Sequence, residues 1–266
     1  MRRRLDAELV RRGLAGSRQR ATEVIEAGRV RVRGVPALSA ARRVTGDEPI
    51  SLAGDDPKFV SRGGEKLAGA LEEFRVDVRG RNALDAGAST GGFTDCLLQA
   101  GAARVSAVDV GRGQLAWSLR TDPRVDVLER TNVRYLEPEA IGGAAGVCTA
   151  DLSFISLSVC APALERCTTY DADLVLLVKP QFEAGRDRVG KGGIVRDPIV
   201  HRAVLGRVRD GLAAAGLHAI AVMPSPLRGA DGNLEFFFHC RKDVTRELGD
   251  DELDAAVDGA HRGALP

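Results

Sequence analysis

Five cysteines (Cys96, Cys148, Cys160, Cys167 and Cys240) stand in this sequence without one C-x-x-C pair, and its four histidines lie far apart. Structural zinc needs closely grouped sulfur and nitrogen ligands, so no metal is expected. An odd number of thiols fits a reducing cytoplasm, where free cysteines pack as small hydrophobes. The N-terminus is basic but lacks the apolar core of a signal peptide. No apolar run approaches the roughly 20 residues a helix needs to cross a bilayer. Neither export nor membrane insertion is expected, and the chain reads as cytoplasmic and monomeric. Net charge selects no partner either: 38 Lys and Arg against 37 Asp and Glu leave +1.

The distribution of that charge is more informative. Residues 1–43 hold twelve arginines against four acids (Asp6, Glu8, Glu23, Glu26), a local excess of +8, so the remainder is acidic by about −7. Such asymmetry points to an end that faces nucleic acid. Arginines scattered over a solvated surface are the plainer account of charge alone.

Spacing sharpens the picture. Arg4-Leu5-Asp6-Ala7-Glu8-Leu9-Val10 has apolar residues at helical intervals and stops at Gly13. Ser17 can cap a second helix through Ala21, Val24 and Ile25, ending at Gly28. Val30, Val32 and Val35 alternate with Arg29, Arg31 and Arg33, which predicts one half-buried strand with an arginine face. Guanidinium forks pair bidentately with phosphate oxygens, so Arg3, Arg4, Arg11, Arg18, Arg20, Arg29 and Arg31 are the expected RNA contacts. The run R-L-D-A-E-L-V-R-R-G-L-A-G-S-R-Q-R-A-T-E-V-I-E-A-G-R-V-R-V-R-G resembles the RNA-binding module named after ribosomal protein S4, over about residues 3–50.

Gly54-Asp55-Asp56-Pro57 is a polar break. The expected organisation is an RNA-binding domain over 1–58, a linker over 59–64, a catalytic domain over 65–245 and a C-terminal helix or tail over 246–266. Beyond the break, residues 65–73 look helical. Candidate strands follow at 83–85, 104–109, 125–129, 147–151, 174–179, 219–223 and 234–239. Helical stretches lie between most of them, at 94–99, 114–119, 159–166 and 200–214. This alternation predicts an α/β fold with a Rossmann-like, seven-stranded, mainly parallel sheet behind a small α+β N-terminal domain. A Pro- and Gly-rich loop, 225–232, can return the last strand antiparallel.

Leu84-Asp85-Ala86-Gly87-Ala88-Ser89-Thr90-Gly91-Gly92-Phe93 joins the first of these strands to its helix, where open α/β sheets bind ligands. A dinucleotide fingerprint places a second glycine where this chain has Ser89, and Asp85 would repel a pyrophosphate. An acid there suits a ligand ammonium group instead, as in S-adenosylmethionine. Asp109, 24 residues beyond Asp85, can accept bonds from both ribose hydroxyls. Asp85, Gly87, Ser89, Gly91, Gly92, Phe93, Asp109, Val110, Asn132 and Asp151 are the expected cofactor contacts. A glycine-rich turn with a helix-capping Asp is the alternative.

Asp151 and Lys179 end later strands, Glu235 opens the last one, and Lys66 follows Ser61-Arg62-Gly63-Gly64, which reads as a hinge. A ribose 2′-hydroxyl must lose its proton as it attacks a sulfonium methyl. A lysine at its ordinary pKa of about 10.4 is charged and cannot accept that proton, whereas burial and a second cation lower it. Flanking carboxylates orient the amines and the hydroxyl but pull the other way. Each residue alone could equally be a surface ion pair.

The segments S-R-G-G-E-K-L-A-G-A-L, L-D-A-G-A-S-T-G-G-F-T-D, D-V-G-R-G-Q-L-A-W-S-L-R, L-E-R-T-N-V-R, A-D-L-S-F-I-S-L, L-V-K-P-Q-F-E and G-N-L-E-F-F-F resemble the hemolysin A-type (TlyA) rRNA 2′-O-methyltransferases. These are relatives of the FtsJ-like methyltransferases. The resemblance implies a Lys-Asp-Lys-Glu catalytic tetrad, here Lys66, Asp151, Lys179 and Glu235. It also implies S-adenosylmethionine as cofactor and cytidine in 23S, and for some members 16S, rRNA as substrate. Lys179 is the expected amine beside the hydroxyl, with Lys66 tuning it or holding RNA.

Other classes fit less well. A hemolytic protein would want a spanning segment or a long basic amphipathic helix. A non-catalytic RNA-binding or ribosome-assembly protein on a methyltransferase scaffold has no reason to keep Asp85, Asp109 and the tetrad. A nicotinamide-dependent oxidoreductase would want glycine at Ser89.

Overall fold

The computed structural model describes residues 2–26, 28–53, 57–229, 231–244, 246 and 248–263. Of the expected break at 54–57, residues 54–56 lie outside them. The chain divides into two compact units, Met1–Pro57 and Lys58–Pro266.

The first unit opens with β1 (Arg2–Arg4), α1 (Leu5–Arg11) and α2 (Arg18–Glu26). The Ser17 hydroxyl accepts the Arg20 N–H at 3.1 Å, satisfying one of the free donors at the start of α2. Strands β2 (Val30–Val32), β3 (Val35–Pro36), β4 (Arg43–Thr45) and β5 (Ile50–Leu52) complete it. Strand β1 pairs with β4, and β2 lies between β3 and β5, all antiparallel. Leu5, Leu9, Ala21, Ile25, Val30, Val32 and Val44 form the core. The single strand expected from Val30 to Val35 is instead a hairpin. Arg33 and Gly34 take φ of 56° and 76°, the two left-handed residues of a tight turn, and Val35 returns exposed.

The second unit runs α3 (Arg62–Glu73), β6 (Asn82–Ala86), α4 (Gly92–Gln99), β7 (Arg104–Val108), α5 (Trp117–Arg120), β8 (Val125–Leu128), β9 (Ala145–Ala150), α6 (Leu157–Arg166), β10 (Thr168–Val178), α7 (Pro180–Glu183), α8 (Pro198–Ala213), β11 (His218–Pro224), β12 (Phe236–Arg241) and α9 (Asp250–His261). Its seven-stranded sheet has the order β11-β12-β10-β9-β6-β7-β8. Strands β8, β7, β6, β9 and β10 run parallel, and β12 is antiparallel to both neighbours, as the Pro- and Gly-rich loop suggested. A parallel sheet hides both faces, so its central strands are mostly apolar. Leu174, Val175, Leu176, Leu177 and Val178 of β10 are all buried. Leu174 and Leu176 face one core with α6 and α8, Val175 and Leu177 the other with α3 and α4.

One expected boundary moves. Helix α3 already begins at Arg62, and Phe59 is buried against Gly64 and the α3–α4 core, so 59–64 is no free linker. Beyond 245, where a helix or tail was expected, lies α9, whose Leu253, Val257 and Ala260 are buried in the same core as α8. Among the described residues no helix is long and apolar enough to cross a membrane.

Candidate active site

Register places three charged residues at one sheet edge. Ala150 of β9 pairs with Leu176 of β10, and Val178 of β10 pairs with Phe236 of β12. The residues just past these pairs are Asp151, Lys179 and Glu235. Lys66 joins them from the second turn of α3. That helix lies close against α4: a Cβ on Gly92 would fall 2.2 Å from the Ser61 hydroxyl and 2.9 Å from the Gly64 nitrogen. The segment read as a hinge is therefore a tight helix start.

The four groups form two ion pairs. Lys66 Nζ donates to Glu235 Oε2 at 2.5 Å, and both side chains are at least nine-tenths buried. Lys179 Nζ lies 2.5 Å from Asp151 Oδ1 and donates to the Ser153 hydroxyl at 3.1 Å. The Asp151 contact is a close ion pair outside hydrogen-bond alignment, so Oδ1 keeps an unused acceptor direction. Buried charges persist only when paired in this way. Gly229 shapes the Glu235 end, since a Cβ there would sit 2.5 Å from Oε1.

Beside the tetrad lies the glycine turn. Gly87 has φ +89°, and a Cβ on it would stand 2.5 Å from the Asp151 carbonyl oxygen, so only glycine lets β6 and β9 converge here. Asp109 accepts N–H groups from Ser89 at 2.8 Å on Oδ2 and from Gly111 at 2.6 Å on Oδ1. A small cavity lined by Ala88, Ser89, Asp109, Gly111, Gln114 and Leu115 opens above it. Each Asp109 oxygen retains a second lone pair, suited to a diol. The Ser89 N–H, which a pyrophosphate would need, is already spent on Asp109. Gly91 caps α4 with φ 98°, and exposed Val110 follows Asp109. Asn132 is exposed, and its side chain accepts the Arg134 N–H at 3.0 Å.

Two expected contacts are corrected. Asp85 has no exposed surface; Thr94 donates to it at 2.6 Å and Thr149 at 3.4 Å. Burial pushes its carboxyl up to about 7, and the bond from Thr94 ties β6 to α4, so in this structure Asp85 faces the interior and not the glycine turn's open side. Phe93 is buried and packs on Phe237, with ring centroids 6.1 Å apart, as part of the core.

The seven arginines expected to contact RNA are not free forks. Buried Asp6 holds Arg4 at 3.0 Å and Arg18 at 2.9 Å, while buried Glu8 holds Arg11 at 2.6 Å, Arg12 at 2.8 Å and Arg3 at 3.8 Å. Arg20 pairs with Glu23, Arg29 donates to the Ala53 carbonyl and Arg31 to that of Gly34. Hydrogen bonds from Arg4, and from Arg11 and Arg12, bring the Asp6 and Glu8 carboxyls down to about 2. Arg3, Arg4, Arg11 and Arg18 keep about half their side-chain surface exposed, so the acids orient them without hiding them.

One residue beside the tetrad had no sequence signal. Phe154 is 91% exposed and takes φ +63°, a conformation a bulky side chain adopts only under constraint. Its ring meets Phe182 at 4.8 Å, and Lys179 Nζ sits 6.0 Å from the Phe182 ring. The segment A-D-L-S-F shows an aromatic near Asp151, but only the backbone places it in solvent.

Pairs of lysine and carboxylate at the carboxyl edge of this sheet, beside a glycine cradle, define a methyltransferase. Residues 59–242 match the FtsJ-like methyltransferase family and residues 3–50 match the S4 domain. The chain belongs to the FtsJ-like methyltransferase family, with an S4 domain preceding the catalytic unit. Its relatives include the 16S/23S rRNA (cytidine-2′-O)-methyltransferase TlyA of Mycobacterium tuberculosis (strain ATCC 25618 / H37Rv), 55% identical over 96% of this chain and 95% of that protein. Hemolysin A of Brachyspira hyodysenteriae is 40% identical over 89% of this chain and 98% of its own. A solved Streptococcus thermophilus structure is 38% identical and superimposes with a TM-score of 0.78 over 98% of this chain and 96% of that one.

Proposed function

We propose that this chain transfers a methyl group from S-adenosylmethionine to the ribose 2′-hydroxyl of cytidine in rRNA, 23S and 16S, in the cytoplasm. The observation that carries the reading is the pair of lysine–carboxylate contacts beside the Gly87–Gly91 turn. Bound S-adenosylmethionine supplies a sulfonium methyl open to attack by an oxygen nucleophile. Asp109 holds the ribose diol with its remaining lone pairs, and Val110 offers an aliphatic surface to the adenine. Gly87, Ser89, Gly91 and Gly92 let the backbone approach, and Asn132 closes the edge. Lys179, in its uncharged form, takes the hydroxyl proton: its pair is the more exposed of the two, and Asp151 Oδ1 is left able to orient that hydroxyl. Lys66, committed to buried Glu235, fixes the wall of the site. The first unit supplies phosphate contacts through its oriented arginines.

Mapping ribose methylation on rRNA from cells with and without the chain tests this directly. Labelled methyl should reach cytidine 2′-hydroxyls of ribosomal subunits only with the protein present. Binding of rRNA with no transfer to any subunit would favour a non-catalytic assembly protein.

A further inference from the structure

The groove beside Lys179 has a chemistry that the transfer step does not use. It has a volume of about 700 Å³ and is lined by Phe154, Gln181, Phe182, Val189 and Asp231, with glycines from the loop 185–193. Two aromatic rings wall it. Two acceptor-bearing side chains line it. Gln181 Oε1 is hidden from solvent and has no hydrogen-bond partner among the described residues, and Asp231 contributes a carboxylate on the exposed side.

A buried acceptor without a donor is costly, by roughly 1–3 kcal/mol, so its retention at a groove wall calls for a donor brought by a ligand. Of the two pyrimidines, cytosine presents an exocyclic N4 amine on its pairing edge, and uracil presents the O4 acceptor at that place. A carboxylate can only accept. Asp231 therefore welcomes an amine and repels O4, the pairing by which acidic side chains read cytosine.

We propose that Gln181 and Asp231 determine base specificity, accepting from the cytosine N4 amine while the base lies along Phe154 and Phe182. This rests on the proposed transfer of methyl to cytidine, with the target base seated in this groove. Neither residue takes part in the transfer itself.

The test uses the full chain and, once the modified position is mapped, rRNA transcripts bearing cytidine or uridine there. Transfer to each is measured as kcat/KM, with S-adenosylmethionine affinity followed by calorimetry. Gln181→Met should lower kcat/KM for cytidine roughly ten- to hundredfold, leave uridine unchanged and so narrow the preference by the same factor. Gln181→Glu, which keeps an acceptor, should retain the preference. Asp231→Asn, at an exposed position where folding is not at stake, should raise transfer to uridine several-fold, because an amide can donate to O4. A cytidine-to-uridine ratio equal to wild type in both Gln181→Met and Asp231→Asn overturns the proposal while leaving the methyltransferase reading intact. If the wild-type chain transfers to neither transcript, the failure lies in that reading instead.

Discussion

Lys66→Met removes one half of an ion pair whose other half has nowhere to go. Glu235 is 3% exposed and Lys66 8%, and their contact is 2.5 Å. Losing the amine strands a carboxylate that water cannot reach, and breaking a buried pair from one side costs about 3–5 kcal/mol. Gly229 closes on Oε1 from the other side, which limits how far Glu235 can turn to find solvent. Changing both residues, to Lys66→Met with Glu235→Leu, removes the stranded charge. The double variant should regain most of the loss, since apolar replacements of buried pairs are often neutral. The coupling energy between the two sites should then be at least about 3 kcal/mol, the top of the range for residues in contact.

Urea unfolding reads this cycle. With a slope of about 3 kcal/mol per molar urea, the single variant should melt about 1–1.7 M earlier than wild type. Methyl transfer to ribosomal subunits, measured in parallel, separates stability from catalysis: the double variant should fold well and still be inactive. A stability loss under 1 kcal/mol in Lys66→Met would refute the burial argument. Wild-type transfer by the stable double variant would show that the pair only holds the fold together.

Three further outcomes are expected. Lys179→Arg should lose about 10²–10⁴-fold in transfer with cofactor affinity unchanged, because a guanidinium stays protonated; normal turnover would remove Lys179 as proton acceptor. Asp109→Ala should weaken S-adenosylmethionine binding by about 1–3 kcal/mol in calorimetry, and unchanged affinity would mean the ribose is held elsewhere. Asp85→Asn should flatten a pH dependence. The Asp85 carboxyl is raised from 3.8 to about 7 by burial, so the folded state holds a proton that the unfolded chain releases, and this contribution to stability falls as pH rises from about 4 to 7. Thermal melts of wild type minus variant should show that slope, and a flat difference would place the charge in a wetter site.

The sheet was legible because its strands are short apolar runs between glycine-rich turns. Residues 174–178 can only be a strand buried on both faces. Helix α9, left open as helix or tail, carries its own signal: Leu253, Ala256, Val257 and Ala260 recur at helical spacing, the signature of a buried stripe. Asp85 could not. Whether an acid after an apolar strand faces a ligand or the interior depends on Thr149, 64 residues away, and on Thr94 in the following helix. The arginine count in 1–43 was plain, but its use was not. Asp6 and Glu8 look like ordinary first-turn acids of α1, and only their burial shows that they aim the guanidinium groups.

The tetrad shows why residue identity and residue geometry separate in this way. Lys66 and Glu235 meet although they are 169 positions apart in the sequence, and no local pattern measures that distance. What brings them together is a set of backbone approaches in which a side chain would not fit. Gly87 passes under the Asp151 carbonyl, Gly92 under Ser61 and Gly64, and Gly229 beside Glu235. Each glycine costs backbone entropy in the folded chain, and none adds packing of its own. Their return is positional: β6 meets β9, α3 meets α4, and the last loop meets the last strand. The charges can then be held by ion pairs at the sheet edge without long, mobile side chains reaching across solvent. A small side chain at Gly229 would shift Glu235 and, through it, Lys66, though it touches neither substrate nor cofactor. The glycines therefore belong to the active site as much as the charges do, because they set the separations at which those charges work.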